Sequence, residues 1–253
     1  LDEDATHTIM HRLIVSAVRQ SKLLGAVFNA SQNGMCCANL SRHSVSLLPE
    51  KNSRNSPVWS CNEWDTLEEV IVGVVDNAVV ALPEPTALSC FPEEDFAFIK
   101  ENGGKYWADV LGANTWKKLL AEVEEFARVL ESEGAIVRRP DRIDWGQKFT
   151  TPAYTGPGLY GAMPRDSLLI VGDEIIEAPM AWRRRYFEYV AYRNLVQDYW
   201  QQGARWTTAP KSLSRDSLIK QSEDGINFEL TEDEPVFDAA DFMRMGRDIV
   251  GQR

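Results

Sequence analysis

The chain has 253 residues, 44% hydrophobic and 26% charged, which is enough apolar sequence for one large domain or two small ones and excludes a disordered chain. Its formal net charge of −11 is uneven: residues 1–60 hold six basic and four acidic side chains, and 61–253 hold 21 basic and 34 acidic. A body of that sign repels phosphate backbones, so nucleic acid is excluded as a partner; it suits a cationic ligand, although most such charge is solvated surface.

The N-terminal segment differs from the rest. From Met10, Arg12, Arg19 and Lys22 are interleaved with Leu13, Ile14, Val15, Val18, Leu23 and Leu24, and no acid appears before Glu50. A basic, acid-poor, amphipathic segment has the composition of a mitochondrial presequence. An ordinary N-terminal helix and a secretory signal are the alternatives, the latter wanting a cleaner apolar core and a small-residue cleavage site. Residues 40–60, rich in Ser, Asn and Pro, read as a linker. We therefore expect residues 1–60 to form a presequence-like segment and linker, and 61–253 to form one domain. No apolar run reaches the ~18 residues of a membrane-spanning helix, so the mature part is expected to be soluble. Cys36, Cys37, Cys61 and Cys90 show no CxxC spacing, and no cysteine follows Cys90 and no histidine follows His43. Neither a zinc site nor a disulfide scaffold is indicated.

From Cys61 the pattern becomes regular. Glu69–Gly73 is a β-branched run closed by Gly, which predicts a buried strand. A helix is predicted over about 116–133, capped by Asn114 or Thr115. Trp116, Leu119, Leu120, Val123, Ala127 and Leu130 share one face, with Lys117, Glu124 and Glu131 opposite. Gly134 ends it, and Ala135–Pro140 reads as the next strand. The order then returns. Ser167–Gly172 predicts a strand, Gly172-Asp173 a turn, and Glu174–Pro179 its hairpin partner. A helix over about 183–201 ends at Gly203, and Ala204–Pro210 predicts a strand closed by Pro. The strings EGAIVRRP and QGARWTTAP thus hold equivalent places in two β-α-β units, which suggests a repeat architecture. No GxGxxG follows either first strand, which counts against a dinucleotide-binding fold. Residues 211–236 are polar and acidic and read as an exposed connection; Phe237–Phe242 resumes as buried backbone carrying two acids.

Two carboxylates stand in apolar surroundings. Asp166 lies at the lip of a hydrophobic strand and Asp238 sits between Phe237 and Ala239. A carboxylate buried alone costs several kcal/mol, so each must find a cation or several donors. A structural ion pair or a turn cap meets that need as well as a ligand does. Asp241 completes D-A-A-D, and in a strand residues three apart face opposite ways. The aromatic residues of 182–200 read as helix packing, and Arg183, Arg184 and Arg185 as a solvated helix start.

The stretch 62–253 resembles the glycine amidinotransferase family. The likeness rests on NEWDTLEEVIVG (62–73), RRPDRIDW (138–145), GLYGAMPRD (158–166), EIIEAPMAWRRRYFEYVAYR (174–193), WTTAPK (206–211) and FDAADFMRMGRDI (237–249). The resemblance implies a five-bladed α/β propeller of ββαβ pseudo-repeats, of which this chain would supply about the first half. It implies ping-pong transfer of the amidino group of L-arginine, through an amidino-cysteine, to glycine, giving ornithine and guanidinoacetate, with no metal or organic cofactor. Asp166 would be the arginine-binding carboxylate, and Asp238 the aspartate that orients the catalytic histidine and the guanidinium. A planar, permanently charged guanidinium matches such carboxylates bidentately. The family's histidine and nucleophilic cysteine follow the FDAAD motif, and none of the four cysteines here matches that nucleophile. The polypeptide by itself is accordingly expected to be inactive and, with unclosed edges, to fold poorly alone. The 211–236 stretch is shorter than the resemblance would give for animal mitochondrial enzymes. Relatives that amidinate inosamine phosphates, and a catalytically dead chain, therefore stand as alternatives. A homodimer stands open beside a monomer.

Overall fold

The computed structural model describes residues 56–213, 218–221, 223, 228–231 and 233–251. The presequence-like segment and most of the linker, including Cys36 and Cys37, lie outside the described residues.

The first unit opens with strand β1 (Glu69–Ile71) and runs through short helices α1 (Pro85–Cys90), α2 (Phe96–Asn102) and α3 (Trp107–Leu111). The long helix α4 (Ala113–Ser132) and strand β2 (Ile136–Arg138) complete it. β1 and β2 pair in parallel, with Val70 opposite Val137. The helix expected over 116–133 starts three residues earlier, and neither Asn114 nor Thr115 caps it. Gly112, at φ 75°, makes the reversal out of α3 that a Cβ-bearing residue would resist, so the chain is helical from Ala113. Gly134, at φ 91°, ends α4 as predicted. Leu119 and Ala127 are buried while Lys117, Glu124 and Glu131 are exposed.

A hairpin that the sequence pattern did not announce follows, β3 (Lys148–Thr151) with β4 (Tyr154–Pro157). The second unit comprises the single turn α5 (Pro164–Ser167), strands β5 (Leu168–Val171) and β6 (Glu174–Glu177), helix α6 (Tyr189–Gln201) and strand β7 (Arg205–Thr208). β5 and β6 are antiparallel, and β6 and β7 run parallel with Ile175 opposite Trp206. β2 and β7 therefore hold matching places, each returning from a long helix to lie parallel to an earlier strand of its own unit.

Strand β5 has neighbours packed on both faces of the sheet, which is why it reads as a continuous apolar run. Leu168 and Ile175 pack with Val79, Trp145, Ala191, Tyr192 and Val196 on one side. Leu169 packs with Ala178, Met180 and Ala239 on the other, where Phe237 and Phe242 also lean in. That second cluster seats the FDAAD segment on the sheet. The helix expected from 183 is divided: Arg183–Arg185 form a 3-10 turn and the α-helix starts at Tyr189.

Within 211–236, strands β8 (Ile219–Gln221) and β9 (Phe228–Leu230) form a hairpin and Leu218 is buried, so this stretch is more than an exposed connection. Strands β10 (Phe242–Met245) and β11 (Asp248–Gly251) pair as a last hairpin. The fold class is α/β with small sheets of two or three strands; no sheet closes on itself among the described residues. No described helix is long and apolar enough to cross a membrane.

Candidate functional site

Pro164 starts the single turn α5, which delivers Asp166 to the edge of β5. Seventy-two positions later, Asp238 is the N-cap of a 3-10 turn over Ala239–Asp241. The strand expected across D-A-A-D is absent because the two acids satisfy the turn's own backbone: Asp238 accepts from the Asp241 N–H, and Asp241 accepts from the Asp238 N–H at 3.0 Å. Asp241 is therefore committed to the turn, and Asp238 faces the cluster described next.

Asp166 and Asp238 meet at one guanidinium nitrogen. Arg185 Nη1 donates to Asp166 Oδ2 at 2.9 Å and to Asp238 Oδ2 at 3.3 Å. The rest of the Arg185 fork is held by Glu188, with Nε to Oε1 at 2.9 Å and Nη2 to Oε2 at 2.8 Å. Ser167 Oγ lies 3.4 Å from Glu188 Oε2, and the guanidinium rests over the Tyr160 ring, 5.3 Å from its centroid. The exposures are graded. The Arg185 and Glu188 side chains are 6% and 0% exposed, against 17% and 28% for Asp166 and Asp238. The arginine lies underneath, and the two aspartates are the part of the cluster that meets the outside.

Arg165, beside Asp166, joins the same two segments through the backbone. Its Nη1 donates to the Ala239 carbonyl and its Nη2 to the Phe242 carbonyl. The Ala181 N–H reaches Asp238 Oδ1 at 3.4 Å, and the Met180 N–H reaches the Phe237 carbonyl at 3.2 Å. Met180 adopts φ 63°, a left-handed turn that brings the end of the β6 segment against residue 238.

The electrostatics follow from this crowding. Burial raises the Asp238 carboxyl above the usual range; Arg185 opposes the rise and Asp166 adds to it. Burial pushes Glu188 up to about 7, against the pull of Arg185. Burial also works against the Arg185 charge, but Glu188, Tyr160 and Asp166 together hold the guanidinium well above its ordinary value. With its three carboxylates ionised, the cluster carries one cation against three anions.

The arginine triplet is not the solvated helix start that its position suggested. Arg183 donates to Glu84 at 3.1 Å and lies over the Tyr154 ring; Arg184 is buried and donates to the Gly158 carbonyl at 2.7 Å. Sequence reasoning passed over Arg185 and Glu188. The signal that could have found them is their R-x-x-E spacing, which puts an ion pair on one side of a helical turn. Of the aromatics at 182–200, Tyr192 and Tyr199 pack inward as expected, while Trp200 is exposed. Cys61 is buried, and burial raises its thiol, so it is no activated nucleophile.

No family model matches the chain. It is similar to the mitochondrial glycine amidinotransferase of Gallus gallus, 48% identical over 212 residues that cover 79% of this chain and 49% of the relative. It is 42% identical over 206 residues to the L-arginine:L-lysine amidinotransferase of Pseudomonas savastanoi pv. phaseolicola, covering 79% of this chain and 56% of that one. Among solved structures it resembles SxtG, an amidinotransferase of the saxitoxin biosynthetic pathway of Microseira wollei. There the TM-score is 0.69 at 44% identity, over 78% of this chain and 57% of that chain. The chain spans about half the length of the curated relatives it matches.

Proposed function

Because the chain belongs to the glycine amidinotransferase family, we propose that its carboxylate cluster is the guanidinium-holding part of an amidinotransferase site. In this reading Asp166 receives the guanidinium of L-arginine, and Asp238 orients that guanidinium and the family's catalytic histidine. The reaction passes the amidino carbon to a cysteine sulfur as the bond to the ornithine nitrogen breaks. The amine of glycine then displaces the sulfur, releasing guanidinoacetate and restoring the thiolate. This chain contributes the acids; none of its four cysteines is assigned the nucleophile. The propeller architecture belongs to the same reading, with the parallel β1/β2 and β6/β7 units as two of its repeats. So does a mitochondrial address in residues 1–60.

The observation that carries the reading is the convergence of Asp166 and Asp238, far apart in sequence, on one guanidinium nitrogen of Arg185. Their outward exposure and the excess of negative charge supply what a second guanidinium would need. Calorimetric titration of the chain with L-arginine tests it. Binding should be measurable in the unsubstituted chain and fall at least tenfold in Asp166→Asn. Equal affinity in the two would refute the assignment. The acceptor is proposed as glycine from the higher identity to the glycine relative. Preferential turnover of lysine or an inosamine phosphate by the full-length enzyme would replace glycine with that amine.

A further inference from the structure

Asp166 and Asp238 reach the site from different segments. What they share is Arg185. The two N–H bonds on Nη1 point about 120° apart in the guanidinium plane, one toward each aspartate. That plane cannot turn, because Nε and Nη2 are tied to Glu188 by two parallel bonds and one face rests on Tyr160. Both anchors are buried.

We propose that Arg185, locked by Glu188, is the positioning residue that sets Asp166 and Asp238 as one paired receiver for a substrate guanidinium; the inference rests on the reading of the two acids given above. Arg185 does not touch substrate. It lies beneath the aspartates, takes one oxygen of each, and keeps two like charges side by side. Arg185 holds Asp166 through Oδ2, and no hydrogen bond to Oδ1 is found among the described residues. A lysine at 185 could keep the charge but not the fork, since an ammonium is a point donor that cannot hold Glu188 bidentately and face two further carboxylates in a fixed plane.

The device has a consequence that simple packing would not have. Asp238 is faced by Arg185 and Asp166, by Asp241 of its own turn, and by Glu188 and Tyr160 across the arginine, and Asp166 is faced also by Arg165; among the described residues Arg185 is the cation that bonds both aspartates. Without it, one of the two neighbouring aspartates takes up a proton at higher pH. Guanidinium binding that needs both carboxylates ionised should then fail at a higher pH as the solution is acidified.

The experiment measures L-arginine affinity against pH in the full chain, in Arg185→Lys, and in the double variant Arg185→Met/Glu188→Met. The double variant removes Arg185 and Glu188 together, so neither member of that ion pair is left buried without the other. We expect both variants to bind at least about tenfold more weakly at pH 7, with the acid limb of binding moved to higher pH in the double variant, which removes the cation, and less in Arg185→Lys, which keeps it. In a preparation that melts cooperatively, no binding by the unsubstituted chain, or binding that survives in Asp166→Asn, overturns the reading of the acids and this proposal with it. Binding that Asp166→Asn abolishes, but that both Arg185 variants keep at unchanged affinity and acid limb, overturns the role of Arg185 alone. Should neither variant melt cooperatively, NMR of the unsubstituted chain decides. Separate, non-averaging Nη proton signals are expected for a guanidinium held in this way, and one averaged signal overturns the proposal.

Discussion

Glu188 has no exposed surface, and burial pushes its carboxyl up to about 7; Arg185 opposes the rise while Asp166 and Asp238 reinforce it. Against the unfolded value of 4.5, the folded state holds more protons between about pH 4.5 and 7. Stability from this group is greatest at the acid end and declines as pH rises through that window. Asp238 is raised for the same first reason and acts in the same direction just above its unfolded value of 3.8. Glu188→Gln should therefore flatten the dependence of unfolding free energy on pH between 5 and 7, as chemical denaturation at several pH values would show. An unchanged slope would mean that Glu188 does not titrate there. The residue scale is also where the sequence was hardest to read. Two adjacent arginines of one triplet take unrelated buried partners, Gly158 for Arg184 and the carboxylates for Arg185, and nothing in R-R-R says which will be inside.

Among the elements, the β10–β11 hairpin is held by a clamp rather than by a wide sheet. Arg244 donates from Nε and Nη2 to the two oxygens of Glu63, each at 2.8 Å, and from Nη1 to the Ile170 carbonyl at 2.9 Å. The Gly246 N–H adds a bond to the Cys61 carbonyl. Burial pushes the Glu63 carboxyl up, but the bonds and charge of Arg244, with help from Arg165, lower it overall. A lowered carboxyl gives stability that is present above its unfolded value of 4.5 and lost as pH falls through the folded value, the reverse of Glu188. Glu63→Gln should cost about 1–3 kcal/mol and speed amide exchange in β10 and β11 more than in β5 and β6. Uniform acceleration across both pairs would show that the clamp is not local. The long helix α4 was legible because its apolar residues recur at three and four. The 3-10 turn at 239–241 was not, since Asp238 and Asp241 can serve a strand or a capping box equally well until the backbone is seen.

For the molecule as a whole, one core element links the two β-α-β units. Trp145, between β2 and β3, is fully buried against Val79 from the first unit and Leu168, Ile175 and Tyr192 from the second. The Tyr192 hydroxyl donates to the Gly161 carbonyl at 3.0 Å, and Gly161 pairs in turn with Val74. Gly73 is needed at that seam: a Cβ there would stand 2.1 Å from the Ala162 carbonyl oxygen. Trp145→Ala should cost about 3–5 kcal/mol, seen as one lowered denaturation midpoint for probes in both units. Two separate transitions would mean that the units fold independently.

The sequence by itself determined the two parallel units, the hairpin at Gly172, the helix ends at Gly134 and Gly203, and the candidacy of Asp166 and Asp238. Each of these depends on local chemistry: apolar periodicity, glycine's access to positive φ, and the cost of an acid among apolar neighbours. Tertiary structure alone decided that the two acids meet and that Arg185 joins them. Those outcomes depend on contacts between segments up to 72 positions apart. A carboxylate records in its neighbourhood that it needs a cation, but not which of many arginines the folded chain will bring to it.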